Sequence, residues 1–491
     1  MPPSSVAAVA PARGNANANR WWILVVIGLA QLMVVLDSTI VNIALPSAQH
    51  DLAFSDDARQ WVVTAYALAF GSLLLLGGRV ADLFGRRPAF LVGLAGFALM
   101  SALGGAANGI ELLIVARAGQ GVFGALLAPT ALSLLSTTFT DPAERGKAFG
   151  VFGAIAGGGA AIGLLLGGAL TQYLDWRWCM FVNIVFAAVA FAGAVAMLRP
   201  LPRTGRRPKL DVPGTLTASA GLFALVQGFA HAEAEPWSAV SVWGFLAVGV
   251  ALLTLFVYLQ TRVEHPLLPM RVLFDRDRGG SFLSVFLRGI GMFPVLLFLT
   301  YYLQRDLGLA PITSGVAFLP MVATLMAGAA AASGVLSKFG SRALISLGML
   351  IAAAALCWLS AIDTVSTYFS GVLFPLMVFG LGIGVSTAPA MSAATTGVRA
   401  GDAGVASATV HTAQQTGGSI GTALVSTLVA NAVTTFPGGK APVPGLAAEA
   451  AVHGYRVAFS WSAGFFASGA VVCSLLLRPR ARDASGRNRP Q

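Results

Sequence analysis

The sequence predicts an all-α polytopic membrane protein, and three observations support this prediction. Of the 491 residues, 56% are hydrophobic and only 10% are charged, and the mean hydropathy is +0.77. Apolar runs of about 18 to 25 residues repeat along almost the whole chain, and a helix needs this length to cross a bilayer. Short polar loops separate the runs, so a soluble domain of ordinary size has no place in the chain.

The basic residues indicate the orientation of the predicted spans. We count fourteen spans, which start near residues 21, 60, 88, 111, 147, 179, 212, 238, 280, 312, 342, 368, 405 and 456. With a cytoplasmic N-terminus, 24 of the 31 Lys and Arg residues fall in cytoplasmic segments, 5 in outer loops and 2 within helices. This asymmetry follows the positive-inside rule, so both termini are predicted to be cytoplasmic. The net charge of +11 is then a topology signal, and nucleic-acid binding is not expected.

The predicted spans divide into groups of six, two and six, separated by the basic linkers Arg199–Asp211 and Arg262–Arg278. Ser337–Arg342 repeats, in weaker form, the stretch Asp82–Arg87 at the equivalent place in the other half. Repeated halves around a central site are the usual construction of secondary transporters. The predicted segments are a disordered cytoplasmic tail at 1–20, an N-terminal six-helix bundle at 21–198, linkers with two extra helices at 199–278, a C-terminal six-helix bundle at 279–477 and a cytoplasmic tail at 478–491.

The sequence lacks the residue patterns that disulfides, metal sites and ATP binding require. Cys179, Cys357 and Cys473 lie in separate apolar runs without paired or metal-type spacing, so no disulfide, metal site or cofactor is expected. The two Gly-Lys pairs, at 146–147 and 439–440, are followed by Ala, so the sequence has no P-loop. The chain is therefore not expected to be an enzyme or to use ATP directly.

Asp37 lies inside the first apolar run, which begins at Trp21 and is predicted to end as a helix at Pro46. An ionised carboxylate at the centre of a bilayer costs at least about 2.5 to 3.5 kcal/mol. Asp37 should therefore face a protein interior or an aqueous cavity. A buried acid of this kind can carry a proton.

Arg117 is the expected partner of Asp37. Asp37 lies roughly 12 Å from the outer end of its predicted helix, and Arg117 lies roughly 9 Å from Glu111, where the fourth span begins. A buried charge without a partner is costly, so we expect these two charges to face each other or to open into one polar cavity. The alternative is that Arg117 is a structural brace that binds only backbone carbonyls and Gln120.

The connection after the second span is a tight and basic turn. An acid in this turn can cap a neighbouring helix, and its arginines can pair with acids and anchor at the lipid headgroups. We predict that the turn is a latch between conformations. Its residues are Gly78, Asp82, Gly85, Arg86 and Arg87.

The fifth span is rich in glycine, and four-residue steps place several glycines on one face. A stripe of small residues lets another helix pack at close range in lipid. Close packing alone explains this pattern, and a role in rocking between states is an additional hypothesis. The residues are Gly159, Gly163, Gly167 and Gly168.

Six polar side chains are candidates for lining a substrate cavity. Arg288 lies roughly 13 Å from the cytoplasmic start of its helix, a depth from which snorkelling to the surface is difficult. His411 titrates near neutrality and could relay protons, although a histidine hydrogen-bonded inside a bundle is the more common case. The six candidates are Tyr66, Gln120, Arg288, His411, Gln414 and Gln415.

The chain from about residue 20 to 478 resembles the major facilitator superfamily, and specifically its fourteen-helix drug:proton antiporters. Leu36–Pro46 matches the first-helix signature of that subfamily, and Gly78–Arg87 is similar to the loop between helices two and three. Leu113–Gly121 is similar to the fourth-helix motif, whose arginine is implicated in proton coupling. Leu210–Gly214 opens the seventh helix in the manner of the subfamily.

This resemblance implies two six-helix bundles with two extra helices, in the bacterial cytoplasmic membrane, and a monomer is the default expectation. It implies export of amphipathic drugs or antibiotics by alternating access, with Asp37 and Arg117 coupling export to proton entry. The alternative on the same fold is a dedicated exporter of one endogenous metabolite, such as an antibiotic or a siderophore. A membrane sensor would instead tolerate neutralisation of both charges.

The sequence also departs from the family pattern. Gly163 is followed by Leu164 where the antiporter motif has proline, so a helix kink is lost. His411 and Gln414–Gln415 stand where the family often has Asn and Arg-Gln, so the substrate range is expected to differ. Only the first span carries a deep acid, and Arg288 adds positive charge. We therefore expect neutral, weakly acidic or singly cationic substrates rather than divalent cations.

Overall fold

The computed structural model describes residues 13–139, 141–198, 211–234, 239–264, 266–395, 398, 403–436 and 445–478. All regular elements within these ranges are helices. Three predicted parts lie outside the described residues, namely 1–12 of the N-terminal tail, 199–210 of the first linker and 479–491 of the C-terminal tail.

Six long helices come first along the chain. They are α1 (Arg13–Leu52), α2 (Asp56–Phe84), α3 (Arg86–Gly105), α4 (Ile110–Thr138), α5 (Pro142–Tyr173) and α6 (Trp178–Met197). A helical hairpin follows, formed by α7 (Val212–Ala234) and α8 (Val240–Arg262).

The second group of helices follows a short α9 (Met270–Leu273). It consists of α10 (Arg276–Tyr301), a short α11 (Pro311–Ala317), α12 (Leu319–Leu359), α13 (Leu373–Thr395), α14 (Ala403–Thr435) and α15 (Leu446–Leu476). Two π-helical turns, Tyr302–Asp306 and Tyr368–Val372, extend α10 and lead into α13.

By length and composition, twelve helical segments of the described chain could cross a membrane. Each is apolar enough for the lipid core, where every backbone polar group must be satisfied within the segment. The predicted class, an all-α polytopic membrane protein, is therefore confirmed.

The ends of the first helix differ from the prediction. α1 begins at Arg13, inside the stretch predicted as a disordered tail, and continues through Pro46 to Leu52. A proline removes one backbone hydrogen bond, so the helix continues only where other contacts hold it. Asp51 supplies such contacts, since it accepts hydrogen bonds from the Trp176 indole at 3.1 Å and from Arg177 at 2.6 Å. The predicted helix end at Pro46 is wrong.

The two six-helix bundles pack in the same pattern. In the first bundle, α1 packs against α5 and α6, and α4 packs against α2 and α3. In the second bundle, α10 packs against α14 and α15, and α13 packs against α12. The backbone breaks also match, because Gly85 has φ 98° and ψ 143°, and Gly340, within α12, has φ 77° and ψ 162°. Essentially only glycine adopts this conformation, so the sequence repeat corresponds to a repeated break between helices.

The bundles meet at the end of the molecule where α1 ends and α2 begins, which we call the far end. The Tyr301 hydroxyl donates to Gln49 Oε1 at 2.7 Å, and Gln304 Nε2 donates to the Ile43 carbonyl at 3.1 Å. The Arg59 guanidinium lies 4.1 Å from the centre of the Tyr301 ring. These contacts join α1 and α2 to the end of α10, so the two bundles are closed together at the far end.

The α7–α8 hairpin packs through α7 against α2 and α14. Asp211, which is buried just before α7, holds the hairpin together. Its carboxylate accepts hydrogen bonds from the Gly214 N–H at 2.8 Å and from the Gln260 side chain near the end of α8. The sequence resemblance identified the helix start at this position, and the structure adds its link to α8.

One peptide unit connects this hairpin to the first bundle. The Leu267 N–H donates to the Asp211 carboxylate at 3.4 Å. The carbonyl of the same peptide, on Pro266, accepts a hydrogen bond from Arg79 Nη2 at 2.9 Å. Arg79 lies at the end of α2, so the segment that leads to the second bundle is held by both the hairpin and the first bundle.

Replacing Asp211 by Ala is expected to destabilise the protein. The change leaves the N–H groups of Gly214 and Leu267 and the amide of Gln260 without their acceptor, and each unsatisfied buried donor costs about 1–3 kcal/mol. The melting temperature of the purified protein in detergent, followed by intrinsic fluorescence, should fall. Glu264→Ala, which removes an exposed acid from the same region, should not change it. Equal effects of the two changes would contradict this role for Asp211.

Candidate functional site

A cluster of buried polar side chains lies inside the first bundle, where the surrounding residues are apolar. None of its five members is more than 2% exposed. The Asp37 cluster, as we call it, consists of Asp37 on α1, Ser101 on α3, Arg117 and Gln120 on α4, and Asn183 on α6. Four helices therefore contribute to one polar site.

The Asp37 carboxylate accepts hydrogen bonds at both of its oxygens. Arg117 Nη1 donates to Oδ2 at 2.6 Å, in a salt bridge that is buried on both sides. Gln120 Nε2 and Asn183 Nδ2 donate to Oδ1 at 3.0 and 2.7 Å. The contact between Asp37 and Arg117 agrees with the pairing expected from their similar depth, although α1 extends further than that estimate assumed.

Arg117 is also held by groups other than Asp37. Its Nε donates to the Val62 carbonyl at 3.2 Å, and its Nη1 donates to Gln120 Oε1 at 2.7 Å. The guanidinium carbon lies 4.5 Å from the centre of the Tyr66 ring, a cation–π distance. Arg117 therefore braces α2 and pairs with the acid, so the alternative of a brace without the acid is wrong.

Asn183 and Ser101 were not among the predicted site residues. Asn183 is an amide in the second turn of the apolar α6, and this isolated polar residue is a signal that the sequence does contain. Ser101 accepts a hydrogen bond from Gln120 Nε2 at 2.7 Å, but small hydroxyl residues are common in membrane helices and give no comparable signal. The Oδ1 atom of Asn183 is buried and has no hydrogen-bond partner among the described residues.

The glycine stripe of α5 faces two different helices. Added methyl groups at Gly159, Gly163 and Gly167 would meet side chains of α1, and the one at Gly163 would overlap the Thr39 hydroxyl. Gly168 instead faces the start of α11, where a methyl group would lie 2.5 Å from an α carbon. α5 therefore packs against the part of α1 that carries Asp37 and also against the second bundle.

The predicted latch turn is described in part. Gly85 provides the break between α2 and α3. Gly78 lies beside Pro129, and a methyl group added at Gly78 would lie 3.6 Å from the proline ring. Arg87 Nη2 donates to the Val195 carbonyl of α6 at 3.2 Å, so within the described side chains its partner is a backbone carbonyl, and pairing of Arg87 with an acid stays a prediction.

Two further latch residues complete the turn. Arg86 is the first residue of α3 and is half-buried. The side chain of Asp82 lies outside the described residues. The role of the turn as a latch between conformations stays a prediction.

The six cavity candidates do not form a single group. Tyr66 is 3% exposed and packs against Arg117, and Gln120 belongs to the Asp37 cluster, so both lie within the first bundle. Arg288 lies in the second bundle, 6% exposed, and its Nη1 donates to Thr387 Oγ1 of α13 at 2.6 Å. His411 of α14 is half-buried and within electrostatic range of Arg288.

The remaining two candidates lie on α14 at contacts between helices. Gln415 packs against Gly71 of α2, because a methyl group added at Gly71 would lie 3.1 Å from the Cβ atom of Gln415. The Gln414 backbone carbonyl faces Gly289 of α10. Both side chains are half-buried, so they lie where α14 meets α2 of the first bundle and α10 of its own bundle.

The chemistry of the Asp37 cluster is that of a carboxylate held by hydrogen bonds and one cation. Within the described ranges, no group of three or more His, Cys, Asp or Glu residues is arranged to hold a metal ion. The three cysteines are free thiols, of which Cys179 and Cys473 are buried and Cys357 is exposed. The negative charge of Asp37 faces the positive charge of Arg117, so any change of charge at Asp37 would alter the attraction between the two residues.

The family model described as Major Facilitator Superfamily matches residues 27–422. The puromycin resistance protein pur8 of Streptomyces alboniger is 49% identical over 475 residues, which cover 96% of this chain and 94% of the relative. The cephamycin export protein CmcT of Amycolatopsis lactamdurans is 36% identical over 456 residues, 92% of each chain. A solved structure of a bacterial homolog of the human lysosomal transporter Spinster, in an inward-facing and unoccupied conformation, aligns with a TM-score of 0.63 and 17% identity. The alignment covers 93% of this chain and 97% of that chain, which indicates a shared fold.

Replacing Arg117 by Gln is expected to lower the stability of the protein strongly. Breaking a buried ion pair from one side costs about 3–5 kcal/mol, because the other charge is left without compensation. The double variant Asp37→Asn with Arg117→Gln should lose less stability than the sum of the two single changes. Thermal unfolding of the four proteins in one detergent measures the coupling between the two residues, and additive effects would rule out a coupled pair.

Replacing Gly163 by Ala is expected to separate α5 from α1. The added methyl group would overlap the Thr39 hydroxyl and lie 3.1 Å from the Leu36 carbonyl oxygen. Gly158→Ala is the matched control on the same helix, because no described residue has an atom within 4 Å of a methyl group at that position. The melting temperature should fall for Gly163→Ala and stay the same or rise slightly for Gly158→Ala. The reverse order would contradict this packing.

Proposed function

The chain belongs to the Major Facilitator Superfamily, and we propose that it exports amphipathic drugs or antibiotics from the cytoplasm in exchange for protons. As a member of this family it is a multi-pass membrane transporter and not an enzyme. The observation that carries the proposal is the buried ion pair of Asp37 and Arg117, since a protonatable acid inside an apolar bundle needs a functional reason. Relatives named for puromycin resistance and cephamycin export support the direction of transport.

The proposed topology has fourteen spans with both termini in the cytoplasm of a bacterium, in its cytoplasmic membrane. Besides the twelve candidate spans, α2 and α5 contain 29 and 32 residues, enough to cross a bilayer. The excess of Lys and Arg in the segments assigned to the cytoplasm supports this orientation. This assignment corresponds to the fourteen-helix drug:proton antiporters. The protein is proposed to work as a monomer that recognises amphipathic small molecules.

In this topology the far end of the molecule is the outer end. The contacts of Tyr301 with Gln49 and Arg59 then close the outer side, and the substrate enters from the cytoplasm. Protonation of Asp37 would remove the negative charge that faces Arg117 and weaken their attraction. We propose that this change biases the two bundles toward one opening and that substrate binding reverses the bias.

A dedicated exporter of one endogenous antibiotic is the second candidate function. The name of one relative favours it, because that protein, 36% identical, is a cephamycin export protein. The two candidates share the fold and the ion pair, and they differ in the number of compounds exported. A panel of unrelated compounds separates them, because a dedicated exporter protects against one chemical class only.

Replacing Asp37 by Asn is expected to abolish export. The amide is similar in size but cannot carry a proton or pair with Arg117 as an anion, so transport loses its coupling. The measurement is growth of an efflux-deficient bacterial host on dyes, antibiotics including puromycin, and biocides, with the proteins at equal membrane abundance. The parent should protect, and the variant should fall to the level of the vector alone.

Glu449→Gln is the matched control, because it neutralises an exposed acid at the start of α15. This control should protect as well as the parent. Equal protection by Asp37→Asn and the parent would refute the assignment of Asp37 as the proton carrier. Protection against a single compound class, lost in Asp37→Asn, would select the dedicated exporter.

A further inference from the structure

Arg288 is a buried cation without a neutralising acid among the described residues. The residue is 6% exposed, and its one hydrogen bond in the described part of the chain goes from Nη1 to Thr387 Oγ1. The Nε atom is buried and has no hydrogen-bond partner there. Arg117, the buried arginine of the first bundle, is by contrast bound to a carboxylate, an amide oxygen, a backbone carbonyl and an aromatic ring.

The transmembrane helices of the second bundle supply no acid at the depth of Arg288. No Asp or Glu occurs between Leu307 and Ile362 or from Ala403 to Ala448, and these stretches contain α11, α12 and α14. α13 has none either, and the acids of α10 and α15, Asp277 and Glu449, lie in the first turns of their helices. His411, the titratable neighbour on α14, adds no negative charge. No acid in the described part of the second bundle therefore neutralises Arg288.

Arg288 lines a narrow pocket between α10, α12 and α13, which is too tight to admit a water molecule in this structure. Ser284 and Ser386 also line it, but their hydroxyls donate to the Ser281 and Ile383 carbonyls at 2.7 and 2.9 Å. The remaining lining residues are apolar: Val285, Ile345, Met349 and Ala390. The two serine hydroxyls already donate to backbone carbonyls, and the other lining residues are hydrophobic. Arg288 is thus the cationic hydrogen-bond donor of this pocket.

We propose that Arg288 binds the anionic group, a carboxylate or a sulfonate, of an amphipathic substrate when α10, α12 and α13 move apart and open this pocket. A charge-assisted hydrogen bond from Arg288 would satisfy the Nε atom and neutralise the buried cation. In the opened pocket, the apolar side chains would contact the hydrophobic part of the molecule that adjoins the acid. This inference rests on the proposed export function and narrows its substrates to organic acids.

The test compares two fluorescent probes that share one aromatic skeleton. 8-Anilinonaphthalene-1-sulfonate carries a sulfonate, and N-phenyl-1-naphthylamine lacks it. The purified protein in lipid nanodiscs is titrated with each probe, and the signal of empty nanodiscs is subtracted. The parent should bind the sulfonate more tightly. Arg288→Gln should bind it about tenfold more weakly, the loss expected for one charged hydrogen bond, and should bind the neutral probe as before.

Two controls separate a binding role from a structural one. Arg288→Lys keeps the charge and should recover part of the preference for the sulfonate. Arg262→Gln removes an exposed arginine from the end of α8 and should leave both affinities unchanged. Equal weakening of both probes in Arg288→Gln would overturn the proposal, and so would a parent that does not prefer the sulfonate.

Failure of this inference can be told apart from failure of the proposed function. Binding in nanodiscs needs no proton gradient, so Asp37→Asn should keep the preference for the sulfonate while losing export. If export depends on Asp37 but Arg288→Gln does not change the affinity for the sulfonate, only the anion site is rejected. If the preference for the sulfonate depends on Arg288 but the protein protects the host against no compound, the anion site is kept and the export function is rejected.

Discussion

The buried ion pair between Asp37 and Arg117 is the interaction on which the first bundle depends. Taking either charge out of water alone costs several kcal/mol, so each charge requires the other to remain inside the bundle. The carboxylate also receives Asn183, and Gln120 joins the pair to Ser101, so α1, α3, α4 and α6 must keep one register to satisfy the cluster. A proton at Asp37 would change the stability of contacts that four helices share.

The second bundle has the same helix packing but a different distribution of charge. Its first long helix, α10, carries the buried Arg288, as α1 carries the buried Asp37, yet no acid in the sequence of the second bundle lies at a similar depth. Backbone geometry is repeated at Gly85 and Gly340, so the shared architecture does not require the shared polar cluster. The first bundle neutralises its charges internally, whereas the second has one cation that an external partner can neutralise.

The fold class and the central contact could both be predicted from the sequence, and the physical reason is the same in the two cases. Lipid excludes unpaired charge, so two charges at similar depth in apolar runs could be matched from their positions in the chain alone. The end of α1 could not be inferred from Pro46, because Asp51 contacts Trp176 and Arg177 from a distant part of the chain. Asn183 was visible as an isolated amide, but one polar residue in an apolar helix does not reveal which neighbour it faces.

α5 provides the direct physical connection between the ion pair and the second bundle. Its Gly163 touches the turn of α1 that contains Leu36 and Thr39, the residues around Asp37, and its Gly168 touches the start of α11. Backbones in contact without intervening side chains cannot slide independently, because small residues leave little space between them. In the proposed mechanism, a shift of the α1 turn on protonation of Asp37 would move α5 or open a gap beside it, and a moving α5 would displace α11. Leu164, in place of the proline of the antiporter motif, lies between these two contacts in an uninterrupted helix, so the link is a continuous rod rather than a hinge.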